Sequence, residues 1–282
     1  MQILYSKLDK SVNFVEQNLI GFIESRYVRR KYDYFIAYLS SQTGCNRGCR
    51  MCHLTATRQT QFINCDQSDF ISQLENVFLH YDNADEPKAN VVHFNFMARG
   101  EPLANPTITE TSSELFFKLG NMAKDKGLAS KINISTIMPI TFKKSLIEAF
   151  PFIHPTIYYS MYSVNEKFRE KWLPAAMPVN QALEALKEYQ KVSKKIIKFH
   201  CAFIDQENDS ANDVYRMMEA IQKNKIVGEF NIVRYNPFSS EQGIESEKLT
   251  GIQQIISQYM PCKIITRVGE DCYSSCGQFV ES

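Results

Sequence analysis

The chain has 282 residues, of which 44% are hydrophobic and 22% charged, and its formal net charge is +1. This composition supports a buried core and excludes a disordered chain, and the length admits one large α/β domain or two small ones. The near balance of charge excludes a global basic field, so nucleic-acid contacts must rest on local patches.

The first ten residues, Met1 to Lys10, lack the apolar stretch and cleavage site of a secretory signal. No apolar run approaches the length of a membrane span, so the sequence predicts a cytoplasmic protein with no membrane partner. From Val12 to Arg30, short apolar runs flank Asn18-Leu19-Ile20-Gly21 as in a small hairpin. Strand-like runs follow at Tyr34–Leu39, Asn90–Met97, Lys131–Ile137, Thr156–Tyr162, Lys198–Ile204, Glu229–Tyr235 and Lys263–Val268. They are rich in Phe, Tyr, Ile and Val, and several are apolar almost throughout, as strands covered on both faces should be. Amphipathic stretches lie between them. Phe70, Ile71, Leu74, Val77, Phe78 and Tyr81 share one helical face, with Ser68 as the expected N-cap. Asp209–Lys223 and Leu249–Tyr259 behave likewise.

Such alternation predicts an α/β fold in which a parallel sheet winds into a full or partial (β/α) barrel. Residues 1–33 form the N-terminal hairpin extension, and residues 34–282 form the barrel with a C-terminal segment folded over its mouth. Sites on such sheets gather where strands end and loops begin.

Eight cysteines in a chain without a secretory signal argue against a disulfide framework. Three of them, Cys45, Cys49 and Cys52, follow the first barrel strand with the spacing C-x₃-C-x₂-C. Three thiolates on a short loop can ligate three irons of a [4Fe–4S] cube and leave the fourth open to a chelating ligand. A structural zinc ion would need a fourth ligand, and no second Cys pair lies nearby. Cys49-Arg-Met-Cys52-His53 also fits the haem-attachment pattern, which belongs to exported cytochromes. Three buried structural thiols are the remaining alternative.

The cysteine spacing resembles the radical S-adenosylmethionine (SAM) superfamily. Ser40-Ser41-Gln42-Thr43-Gly44-Cys45, Arg99-Gly100-Glu101-Pro102-Leu103-Ala104-Asn105, Asn208-Asp209-Ser210, Asn236-Pro237-Phe238 and Ser275-Cys276-Gly277-Gln278 stand in the order of its RlmN/Cfr-type RNA adenine methyltransferases. The resemblance implies a partial barrel of the radical SAM type, a [4Fe–4S] cluster on Cys45, Cys49 and Cys52, and SAM as the second cofactor. By the same resemblance Gly100 and Glu101 grip the amino group of SAM. Ser135, Ser160, Met161, Tyr162 and Asn236 contact its sugar, carboxylate and adenine, with Tyr162 standing where the family has His. The implied partners are ribosomal or transfer RNA and a one-electron donor of the flavodoxin or ferredoxin kind.

Cys276 matches the family's methyl-carrying cysteine, which accepts a methyl group from one SAM. A radical made from a second SAM then activates that methyl for addition to an adenine ring carbon. Glu24 matches the base that helps to release the adduct, although a structural surface Glu is the other reading of that position. The family's resolving cysteine is replaced by Tyr38, and Cys272, Cys262, Cys201 or Cys65 would have to substitute. Only 44 residues precede Cys45, fewer than the family's helical RNA-binding module needs. Arg26-Tyr27-Val28-Arg29-Arg30-Lys31 could supply phosphate and base contacts or serve solubility, whereas Lys187, Lys191, Lys194, Lys195 and Lys198 read as a solvated face.

Three functions fit these residues. The leading one is carbon methylation of an RNA adenine through S-methyl-Cys276. The second is a related radical SAM enzyme repurposed to another substrate or reaction. The third is a degenerate, non-catalytic binder, against which the intact cysteine triad and Gly100-Glu101-Pro102 argue.

Overall fold

A strand with an apolar face demands cover on that face, and the chain supplies it by placing a helix after nearly every strand of a curved parallel sheet. The computed structural model describes residues 1–281. Its strands are β1 (Gln2–Tyr5), β2 (Val12–Gln17), β3 (Phe22–Val28), β4 (Tyr34–Tyr38), β5 (Val91–Phe96), β6 (Ala129–Thr136), β7 (Thr156–Tyr159), β8 (Ile197–Ala202), β9 (Gly228–Val233) and β10 (Cys262–Ile264). Its helices are α1 (His53–Ala56), α2 (Gln67–Asn83), α3 (Pro106–Thr109), α4 (Ser112–Asp125), α5 (Leu146–Ala149), α6 (Glu166–Trp172), α7 (Val179–Ser193), α8 (Ala211–Lys223) and α9 (Leu249–Ser257).

All ten strands form one sheet in chain order. Strands β1 to β4 pair antiparallel, and β4 to β10 run parallel. Each of the seven expected barrel strands is present, a few residues shorter or shifted at its ends. The predicted hairpin is β2–β3. A further strand, β1, precedes it, and β3 pairs with β4, so the N-terminal residues continue the barrel sheet. Because β1 and β10 are the two ends of the sheet, the barrel is partial. Among the described residues no helix is long and apolar enough to cross a membrane.

Alternation along each strand sorts side chains outward to the helices or inward to the barrel. Phe35 faces out and stacks on Tyr81 of α2 with ring centroids 4.5 Å apart. Phe96 meets Phe70 at 5.3 Å and Phe116 of α4 at 5.7 Å. Full burial of each such side chain contributes about 1.5–3 kcal/mol. The residues between them point inward, and Asn13, Arg26, Tyr38, Asn95 and Asn133 are consecutive partners across β2 to β6.

Two expectations change. The N-cap of α2 is Asp66 rather than Ser68: its Oδ1 accepts from Ser68 N at 2.7 Å and Asp69 N at 3.0 Å, and Asp69 returns a bond to Asp66 N. A carboxylate meets the free N–H groups of the first turn with charge as well as geometry, and Ser68 falls inside that turn. The basic run at 26–31 is largely structural. Arg26 and Tyr27 are buried, and Tyr27 Oη and Arg29 both bond Glu86, at 2.7 and 3.0 Å. Arg30 donates to Thr266 O at 3.0 Å, reaching the segment that follows β10.

That segment closes the open side of the barrel as a strap. Gly269 N donates to Asp9 Oδ2 at 2.8 Å, Ser6 Oγ to Asp271 at 2.6 Å, and Asn13 Nδ2 to the carbonyl of Cys272 at 3.2 Å. The strap therefore lies along β2 and β3 and reaches the barrel mouth.

Candidate active site

The cysteine loop leaves the top of β4 and is fixed by its neighbours before it reaches the first thiol. Ser40, Ser41, Gln42 and Thr43 are all buried. Gln73 of α2 accepts from Ser40 N at 2.7 Å and donates to Ser40 O at 3.1 Å, and Ser41 N donates to Arg99 O at 2.7 Å. At Gly44 a Cβ would stand 2.3 Å from Gln61 O and 2.7 Å from Gln59 O, so only glycine lets the loop pass here. Cys45, Cys49 and Cys52 are free thiols that line one cavity of about 140 Å³ together with Gly100 and Glu101.

Among the described residues no group of three or more His, Cys, Asp or Glu side chains is arranged to hold a single metal ion. A [4Fe–4S] cluster takes its ligands from around a wider space than a single ion does. Burial pushes the Cys45 thiol up to about 12 and raises those of Cys49 and Cys52 as well. Thiols held this way keep their protons until a metal displaces them. The donor set, the shared cavity and the missing fourth ligand fit a [4Fe–4S] cluster with one open iron.

Opposite the thiols, Glu101 closes the cavity wall. Its Oε1 accepts from Leu103 N and its Oε2 from Ile137 N, both at 3.1 Å. Burial raises its carboxyl to about 7, against the lowering pull of Thr136 and those backbone donors. A buried carboxyl poised near neutrality ionises readily when a cation arrives. Gly100, in the left-handed region at φ +93°, lets the chain turn there, since a Cβ would meet Ser41 Oγ at 2.5 Å. Ser135 and Ser160, at the ends of β6 and β7, line the same cavity.

The other expected contacts lie beside this lining. Met161 is fully buried, and its carbonyl accepts from Arg169 at 2.6 Å. Tyr162 is buried with φ 58°, and its carbonyl accepts from Asn208 at 2.9 Å. Burial raises its phenol well above the ordinary value, and the nearby thiols of Cys276, Cys201 and Cys49 add to the shift. Asn236 donates through Nδ2 to Cys276 O at 2.9 Å and accepts from Arg267 at 2.9 Å, so it supports the strap.

Cys276 rides on the strap and reaches solvent, while Cys272 is buried. The protein packed around Cys276, together with the nearby Cys52, raises its thiol to about 11. Strap and cysteine loop are tied directly, because His53 N donates to Gly277 O at 3.1 Å. Below them lies a charged knot. Glu24 is 0% exposed; Arg99 Nε donates to its Oε1 at 2.7 Å and Arg26 to its Oε2 at 3.0 Å. Burial pushes the Glu24 carboxyl up, but the two guanidiniums outweigh it and hold the group below its ordinary value.

Several of these residues were not predicted. Arg99, Gln59, Asn13 and Phe279 all touch the strap or the cavity. Arg99 opens the motif that contains Gly100 and Glu101, and Phe279 directly follows the one that contains Cys276, which was the available signal. A larger cavity of about 630 Å³ lies against α6 and α7 and contains no thiol, so the chemistry points to the smaller one.

No family model matches the chain. It is 26% identical over 249 residues to a dual-specificity RNA methyltransferase RlmN of Aliarcobacter butzleri, covering 86% of this chain and 66% of that protein, just under two thirds. It is 25% identical over 283 residues to a probable dual-specificity RNA methyltransferase RlmN of Aquifex aeolicus, covering 96% and 78%. In structure it is similar to a radical SAM methyltransferase from Sphaerobacter thermophilus, with a TM-score of 0.80 at 16% identity over 99% of this chain and 80% of that one. Streptococcus suis SuiB, solved bound to S-adenosylmethionine, matches with a TM-score of 0.51 at 16% identity, covering 84% of this chain and 48% of that one.

Proposed function

We propose that this chain is a cytoplasmic radical SAM enzyme of the RlmN type, which methylates an adenine ring carbon in ribosomal or transfer RNA by way of S-methyl-Cys276. The observation that carries this reading is the bond from His53 N to Gly277 O. It ties the residue after the third loop thiol to the residue after a cysteine more than two hundred positions away in the chain. Similarity to RlmN proteins over most of the chain supports the same reading.

In this reading Cys45, Cys49 and Cys52 would hold a [4Fe–4S] cluster, with SAM bound beside it in the same cavity. When bound, the cluster supplies the electron that cleaves SAM reductively. Glu101 and Gly100 orient the amino group of SAM, and burial strengthens that contact by excluding water. Ser135 and Ser160 meet the rest of the molecule. Cys276 Sγ takes the sulfonium methyl of a first SAM. The new S–C bond forms as the old one breaks, the thiol proton is lost, and S-adenosylhomocysteine leaves. The electron comes from a flavodoxin or ferredoxin type donor.

Tyr38 leaves the resolving step without its expected thiol. Cys65 is buried in the loop just before α2, Cys201 and Cys262 are on β8 and β10, and Cys272 Sγ donates to Ser274 Oγ at 3.2 Å. We therefore assign release of the product to a thiol supplied from solution.

The test is nucleoside analysis of RNA incubated anaerobically with the reconstituted protein, SAM and a reductant. The reading expects a carbon-methylated adenosine that disappears in Cys276→Ala. Reductive formation of 5′-deoxyadenosine with no methylated nucleoside in any ribosomal or transfer RNA would refute it.

A further inference from the structure

Glu24 has no free valence. Its Oε1 accepts from Arg99 Nε at 2.7 Å and from Val280 N at 3.1 Å; its Oε2 accepts from Asn13 Nδ2 at 2.9 Å and from Arg26 at 3.0 Å. It is fully buried, and the side chains of Arg26 and Arg99 are 3% and 0% exposed. To take a proton from a substrate it would have to leave two buried guanidiniums without a counter-charge, an arrangement that proteins avoid.

The donors around Glu24 hold the strap as well. Asn13 bonds the carbonyl of Cys272. Arg26 donates to Ser275 O at 3.4 Å and Gln278 O at 2.7 Å, on either side of Cys276. Arg99 donates to Val280 O at 2.7 Å. Between the last two strap anchors Phe279 turns inward, its ring centroid 4.9 Å from the Arg26 guanidinium and 5.6 Å from that of Arg99. The same ring lines the cavity shared by Cys45, Cys49, Cys52 and Glu101. Without the carboxylate between them, two like charges would stand together under the strap.

We propose that Glu24 is a positioning residue for Cys276: with Arg26 and Arg99 it latches the strap through Val280 and braces Phe279 against the cofactor cavity, fixing where the methyl-accepting thiol stands. This rests on the reading of Cys276 as the methyl carrier. It departs from the role that family resemblance gives Glu24, since a latch acts before RNA is present and a proton acceptor acts after.

The experiment compares the full-length wild type with Glu24→Gln and Phe279→Ala in two assays. In the first, iodoacetamide labelling of Cys272 is followed by peptide mass without cofactors, with the buried Cys65 as the control for general unfolding. The latch expects Cys272 labelling to rise at least tenfold in both variants while Cys65 stays protected. In the second, the reconstituted proteins are incubated with SAM and no RNA, and methylation of Cys276 falls at least tenfold in both variants.

The idea is overturned if Glu24→Gln methylates Cys276 at the wild-type rate and then accumulates a covalent Cys276–RNA adduct, which is the behaviour of a missing proton acceptor. If Glu24→Gln does not fold, Phe279→Ala decides alone: unchanged Cys272 protection and unchanged Cys276 methylation contradict the latch. Should the wild type itself take no methyl on Cys276, the proposed function fails, and Cys272 labelling still decides whether Glu24 holds the strap.

Discussion

Arg99 Nε donates to Glu24 Oε1 at 2.7 Å with neither side chain exposed to solvent. Arg99 stands just before Gly100 and Glu101 in the cavity wall, and Glu24 stands on β3 beneath the strap. The pair therefore ties the cofactor side of the site to the side that carries Cys276.

Removing one member of a buried pair leaves the other charge uncompensated, which costs about 3–5 kcal/mol. Arg99→Leu is expected to lose that much in urea unfolding, with Lys187→Leu, on an exposed i,i+3 pair with Glu184, losing less than about 1 kcal/mol. Equal losses would contradict the buried pair's importance.

The same knot sets acid stability. The folded Glu24 carboxyl lies below its ordinary value of 4.5, so the unfolded chain binds more protons there. The contribution is complete above the ordinary value and is lost as pH falls through the lowered one. Wild-type stability should therefore drop below pH 4.5 more steeply than that of Glu24→Gln. Parallel pH profiles would contradict this.

Glu101 has the opposite sign. Its folded carboxyl keeps its proton to about pH 7, so raising the pH through the window between 4.5 and that value costs the ligand-free protein stability. An arriving ammonium group favours the ionised form. SAM binding is then expected to be about tenfold weaker near pH 6 than near pH 8, with proton release at the lower pH measured by calorimetry in two buffers. A dissociation constant that does not vary with pH would remove Glu101 from that contact.

Tyr38 pairs in register with Arg26, whose guanidinium bonds the strap beside Cys276, so a thiol at this position would stand near the methyl carrier. Release needs a thiolate to attack the Cys276 sulfur. A disulfide forms as the S–C bond breaks, and the carbon keeps the electron pair and takes a proton. Product release in a single turnover of the wild type should depend on added thiol, and Tyr38→Cys should lower that requirement at least tenfold, although its disulfide must still be reduced before the next cycle. Full product release by the wild type without thiol would contradict this route.

Cys49→Ala should lose the brown charge-transfer absorption of the reconstituted protein, and Cys65→Ala should keep it. Colour retained in Cys49→Ala would displace the ligand assignment.

The barrel was legible because a strand covered by helices must be apolar on its covered face, and β8 shows this with Ile197, Phe199 and Cys201 fully buried while Lys198 and His200 between them are only partly so. The cysteine loop and Gly100-Glu101 were legible because they sit at strand ends, where a parallel sheet gathers its chemistry. The charged knot was not legible, since Glu24, Arg99 and Val280 meet only through the sheet and the strap. Arg26 and Arg29 looked like an RNA patch because a sequence shows charges without their partners, and here Glu24 and Glu86 claim them. Strand β1 was missed because its residues are mostly exposed and lack a clear apolar face.

The central claim is that Cys276 carries the methyl group, and the mass of its peptide after anaerobic incubation of the reconstituted protein with SAM tests it most directly. One added methyl on Cys276, absent when SAM is omitted, is the predicted result. An unmodified Cys276 in protein that still forms 5′-deoxyadenosine would contradict the account.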